Sequence, residues 1–136
     1  MSNTLYNITR QAAATASFNW PSPSNPWAVL LVDTTQYDVD VASDEHVSDI
    51  PSGAILARSN LANPTATGGA CSADPLTIDS VTGDVGAVVI YENTSTDSTS
   101  QLVAYIDTAA GIPATFSDGE ASLVWDTSSG NGIFRI

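Results

Sequence analysis

The sequence predicts an all-β fold: a single-domain antiparallel β-sandwich or jelly roll of about seven to nine short strands. Three observations lead there. Short runs rich in Val, Ile, Leu and aromatic residues recur along the chain, separated by clusters of Gly, Pro, Asn, Asp and Ser. No long amphipathic helix is interleaved with them, which argues against a parallel α/β sheet. Apolar residues make up 43% of the 136 residues, enough for one packed core and too short a chain for two ordinary domains. The expected division is an N-terminal arm with a Pro-rich loop over 1–26 and the sandwich over 27–136.

The elements follow in order. Leu5 to Ala14 reads as a short helix capped by Asn3 or Thr4, with Leu5, Ile8 and Ala12 on one side. An extended N-terminal arm fits nearly as well, and the first twenty residues with the Pro-rich loop after them either reach a neighbour or cover the sandwich, the two readings being equal. Pro21, Pro23 and Pro26 enforce an irregular loop. Trp27 to Asp33 is an unbroken apolar run and reads as a buried strand. Tyr37 to Val41 alternates as a half-exposed strand does. Ser43 to Pro51 predicts one short helical turn near 44–50, with Ser43 as cap, Asp44 and Glu45 in the first turn, and Pro51 as its end.

Beyond it, AILARS, ACSA and PLTIDSV read as strands, and Thr82-Gly83-Asp84 as a turn. Val88 to Tyr91 and Leu102 to Ile106 form the arms of a hairpin around a Ser/Thr/Asn/Asp loop. Thr108 to Pro113 is a loop, Ala121 to Asp126 a strand, Thr127 to Asn131 a tight connection, and Gly132 to Ile136 a final strand.

Charge excludes several functions. Fifteen acids face three bases, Arg10, Arg58 and Arg135, for a net of −12 with no lysine. A nucleic-acid binder needs cations to displace counterions from phosphates, and an anionic membrane repels such a chain. We therefore expect no nucleic-acid or membrane partner. The first twenty residues lack the basic start and apolar block of a secretory signal, and the chain has no run of transmembrane length. Cys71 is the single cysteine, so an internal disulfide is excluded. Without a secretion signal, the sequons at Asn7 and Asn93 read as chance matches.

Catalytic and metal-binding patterns are sparse. His46 lies among Asp44, Glu45 and Asp49, but that reads as a solvated acidic turn. A zinc site wants further His or Cys ligands, and Cys71 is the one other available. Asp38/Asp40/Asp44, Asp79/Asp84 and Asp126 are acidic turns without the calcium-loop spacing, and Asp is a common turn former. No GxSxG, HExxH or phosphate-cradling loop occurs. The expectation is a non-enzyme with no cofactor and no metal.

The stretches MSNTLYNITR, AVLLVDTTQYDV, SDIPSGAILA, GDVGAVVIYEN, LVAYIDTAAGIPAT and SLVWDTSSGNGIFRI resemble, in the same order, a family of small virion structural proteins of tailed bacteriophages. Within phages the chain is similar to head decoration or cement proteins. The resemblance implies a β-rich protein on the outer capsid surface, assembled in the host cytoplasm. It further implies the major capsid protein as partner and a homo-oligomer, a trimer by preference. Competing expectations are a neck, tail or head-fibre component and a carbohydrate-binding sandwich using Trp20, Trp27 or Trp125. A hydrolase is the remotest. Trp27 and Trp125 are expected in the core, because both lie in apolar runs.

The hairpin carries one further expectation. Val88 and Ile90, with Leu102, Ala104 and Ile106, form an aliphatic core face. The opposite face then holds Val89, Tyr91, Val103 and Tyr105. Tyrosine has an apolar body and a polar tip, so these four are the candidate oligomer or shell interface, covered by a sister subunit or the second sheet.

Overall fold

A computed structural model describes residues 3–109, 111–125 and 132–135. The chain is an all-β, single-domain, sandwich-like fold with one α-helix among these residues. Its centre is a five-stranded antiparallel sheet. The strands are β1 (Thr4–Leu5), β8 (Leu102–Ile106), β7 (Ala87–Glu92), β2 (Trp27–Val32) and β3 (Ile55–Asn60), in that spatial order. Two smaller sheets accompany it. One joins β10 (Phe134–Arg135), β5 (Ala70–Ser72) and β4 (Thr65–Thr67); the other is a ribbon of β6 (Leu76–Val85) and β9 (Ala114–Leu123).

Every residue of β2 is buried, so this strand has core on both faces. That explains why the run Trp27 to Val32 shows no alternation. On one face Val29 and Leu31 join Val88, Ile90 and Ala104, packed with Val81, Val85, Ala121 and Leu123 from the ribbon. An aromatic group closes one end of this layer. Trp20 stacks on Trp27 with ring centroids 4.9 Å apart, and Phe134 meets Trp20 edge-on at 5.0 Å. Both indoles are satisfied: Trp20 Nε1–H donates to the Ser72 carbonyl and Trp27 Nε1–H to the Trp20 carbonyl.

On the opposite face Ala28, Leu30 and Val32 join Val89, Tyr91, Leu102 and Tyr105. Their cover is not a sheet. It comes from Tyr6, just ahead of helix α1 (Asn7–Ala14), and from Tyr37, Val47, Ile50 and Ala54 in the long β2–β3 connection. Two single 3-10 turns, Val47–Asp49 and Ser52–Ala54, shape that connection.

Several expectations need correction. The helix begins at Asn7 rather than Leu5, because Thr4 and Leu5 pair with Tyr105 and Ala104 as β1. Asn3 is no helix cap: its Oδ1 accepts the N–H groups of Asp107 and Thr108 at 3.0 and 2.9 Å. Residues 3–20 are thus part of the domain, and Tyr6 and Trp20 are among its most buried side chains. Tyr37 to Val41 forms no strand. Its alternation reports the burial of Tyr37 between exposed neighbours, while its backbone serves loop contacts such as Asn7 N–H to the Val41 carbonyl.

Ser43 does not cap the 3-10 turn; its hydroxyl donates to Asp40, and the turn instead starts after His46. Thr82-Gly83-Asp84 is not a turn either. It lies within β6, where the register with β9 shifts between Val81 and Gly83. Gly83 sits at φ 126°, and a Cβ there would come within 2.9 Å of Leu56, so the glycine marks a bulge and a close approach. β9 starts at Ala114, seven residues before the expected strand. The predicted Thr127–Asn131 connection lies outside the described residues.

Candidate interaction surface

The four hairpin residues expected at an interface are inside the chain. Val89 and Val103 are 0% exposed, Tyr91 1% and Tyr105 3%. They also do not share one face. A bulge between Ile90 and Tyr91 makes Ile90 pair with Ala104 and Tyr91 with Leu102, leaving Val103 as the extra residue. Val103 therefore turns into the aromatic-lined core with Ala104, and Leu102 crosses to the tyrosine-rich side. The face that remains, with Val89, Tyr91 and Tyr105, is covered by the chain's own residues rather than by water.

That second face is threaded with hydroxyl groups. Tyr37 O–H donates to Asp44 Oδ2 at 2.7 Å, so the 2.8 Å contact between the two phenols runs from Tyr6 O–H to the Tyr37 oxygen. Burial pushes both phenols well above the usual tyrosine range, Tyr37 further because Tyr6 and Asp44 add negative potential. Thr9 O–H donates to the Leu102 carbonyl at 2.7 Å, and Tyr6 N–H takes the Val103 carbonyl that the bulge leaves over. Tyr91 is the exception: among the described residues its buried hydroxyl makes no hydrogen bond of good geometry, and the nearby Arg58 guanidinium works against the rise that burial causes.

The residues that carry chemistry elsewhere are engaged in structure. Cys71 is buried in the aromatic-lined core, where burial pushes its thiol up to about 11. His46 precedes Val47, which belongs to the other core layer, so the two form no pair. Asp49 accepts the N–H groups of Glu45 and His46, which hold its carboxyl below the usual 3.8. Asp40 is lowered in the same way by the Ser43 hydroxyl and the Ala42 N–H. Asp44 takes the Asp40 N–H as well as Tyr37, and Asp84 takes the Thr115 hydroxyl. Among the described residues no three His, Cys, Asp or Glu side chains gather as a metal site, and Asp126 lies outside them.

Trp20 and Trp27 are core residues, whereas Trp125, expected there too, is only half-buried and donates to the Asp74 carbonyl. The Asn93 amide donates to Asn60, and Thr9 of the other sequon is fully buried.

Among the described residues the surface offers grooves and, at β3, an edge of the central sheet. A groove of about 750 Å³ runs between α1 and β8, floored by Leu5, Ala14, Ile106 and Phe134. Arg10 stands at its rim, donating to the Thr4 hydroxyl at 3.0 Å and to the Leu5 carbonyl at 3.4 Å. A second groove, of about 600 Å³, follows β3 and is lined by Ile50, Pro51, Ile55 and Leu56, with Arg58 and Asp97 at one end. Arg58 pairs with Asp97 at 2.9 Å, both side chains nearly half exposed.

These surfaces were not legible in the sequence, because they depend on which strands end the sheet. Among the described residues no helix is long and apolar enough to cross a membrane. No protein-family model matches the chain, and no curated protein matches it.

Proposed function

We propose that this chain is a structural protein of a tailed-phage virion, seated as a decoration protein on the outside of the capsid shell. The observation that carries the reading is how the polar and reactive groups are spent. The buried ones tie the domain together, and the surface keeps docking features: a strand edge and two grooves, on a chain of net −12. Such a surface suits holding a place in an assembly, and its charge keeps the protein off packaged DNA. The resemblance of the six sequence stretches supports the same reading. They supply the N-terminal staple, β2, the start of β3, β7, β8 and the C-terminal strand.

The partner in this reading is the major capsid protein, and the protein acts as a homo-oligomer, a trimer by preference. It requires no cofactor. Imaging of the virion tests it: the expected result is many copies over the head surface, released when heads are dissociated. Confinement to the tail or neck overturns it.

A further inference from the structure

The two edges of the central sheet are finished differently. At the β8 side, β1 pairs with Ala104 and Tyr105, Tyr6 N–H takes the Val103 carbonyl, and Thr9 takes the Leu102 carbonyl. At the other side β3 is a six-residue edge strand. Leu61 N–H bonds the Trp27 carbonyl at 2.8 Å, and the register pairs Ser59 with Val29 and Ala57 with Leu31. Antiparallel bonding alternates, so these odd-numbered residues face β2 and the peptide groups of Arg58 and Asn60 point outward. Those groups have no other backbone partner among the described residues. β6 comes close at Leu56, where Gly83 approaches its side chain, while Arg58 and Asn60 are exposed.

Native edges of this kind are blunted or used. Here a groove of about 600 Å³ lies along Ile55–Arg58 and meets the open end at Arg58, with Ile50, Ile55 and Leu56 as an apolar lining. Arg58 stands at its end as one of three cations in a chain with fifteen acids. Asp97 engages two of the guanidinium nitrogens, at 2.9 and 3.4 Å. A guanidinium presents five N–H donors, so it retains capacity for another carboxylate.

We infer that β3 is a strand-addition site. An extended segment of a different protein pairs antiparallel with Arg58 and Asn60, sets an apolar side chain in the groove, and brings an Asp or Glu to Arg58. A second copy of this chain is the poorer occupant. It joins two chains of net −12, and the register centred on Arg58 also sets two guanidinium groups opposite each other; the register centred on Ser59 pairs Arg58 with Asn60 and is opposed by net charge. The inference stands on the edge itself and holds whether or not the protein belongs to a virion.

The test uses the full chain and two synthetic peptides of alternating valine and threonine, one with a central aspartate and one with lysine there. Amide NMR is expected to shift Arg58 and Asn60 with the aspartate peptide, binding at least about tenfold more tightly than the lysine peptide. Asn60→Pro removes an outward N–H without touching the ladder to β2, and is expected to abolish binding. Arg58→Gln keeps the strand and is expected to erase the preference for aspartate. The inference is overturned if neither peptide shifts those amides, if both bind alike, or if Asn60→Pro binds normally. Self-association in sedimentation that Asn60→Pro abolishes also overturns it, since the occupant is then a second copy.

Discussion

The two faces of the central sheet are stabilised by different means. One is packed by a sheet, a ribbon and stacked indoles, and its polar atoms are mostly main-chain or indole N–H groups. The other is packed by irregular chain, held down by a Tyr6–Tyr37–Asp44 relay and by Thr9 on the Leu102 carbonyl. A regular element satisfies its own backbone, so its side chains are free to be apolar. An irregular cover leaves peptide groups and strand carbonyls over, and side-chain hydroxyls must meet them. Thr9 does this directly at the Leu102 carbonyl, and Asp44, which takes the Asp40 N–H, ties the Tyr6–Tyr37 pair to the loop backbone.

Truncation on the aromatic side has the largest expected effect. Trp20→Ala removes a stacked, 2%-exposed indole and its bond to Ser72, and is expected to cost about 3–5 kcal/mol in urea unfolding. A cost under about 1 kcal/mol breaks the idea that this face is the dry one. Thr9→Val keeps shape on the other face but strands the buried Leu102 carbonyl, for an expected loss of about 1–3 kcal/mol. Tyr6→Phe leaves the Tyr37–Asp44 bond in place and is expected to cost about 1 kcal/mol, less than Thr9→Val.

Acid sharpens the contrast further. Asp40 and Asp49, in the β2–β3 cover, have carboxyls held low by hydrogen bonds. A depressed folded value gives stability that is present above 3.8 and lost as pH falls through the lower folded value. Below pH 3.8 the tyrosine near-ultraviolet signal is therefore expected to change before the Trp20/Trp27 fluorescence; coincident transitions show one indivisible unit instead. The smallest expected effect is Tyr91→Phe. Its buried hydroxyl makes no hydrogen bond of good geometry among the described residues and has the Arg58 guanidinium nearby, so removal is expected to leave thermal stability nearly unchanged. A clear loss places a partner on that oxygen in solution.

The sheet-forming runs were legible because β2, β7 and β8 are apolar enough to announce burial on both faces. What covered the second face was not. Val47, Ile50 and Ala54 keep helical spacing, but Pro51 interrupts the run and Tyr37 lies ten residues upstream, so no single period gathers the four. The Val103 bulge was equally hidden: a single extra residue reverses the face of everything N-terminal to it in β8, and apolar residues on both faces leave no polar marker of the shift. β6 and β9 were read short, because their exposed stretches carry Ser, Thr, Asp and Gly and look like turns. The open edge at β3 follows from strand order, which local sequence does not encode.

The staple at the start of the chain has a consequence for the order of folding. Asn3 bonds to Thr108, 105 positions later, and β1, Tyr6 and Thr9 all close on β8. During synthesis β1 is thus made long before β8, the strand it must pair with. The tyrosine-rich face stays without its N-terminal cover until β8 has left the ribosome. Closing so long a loop costs entropy before any contact is gained, which favours slow folding with the completed chain.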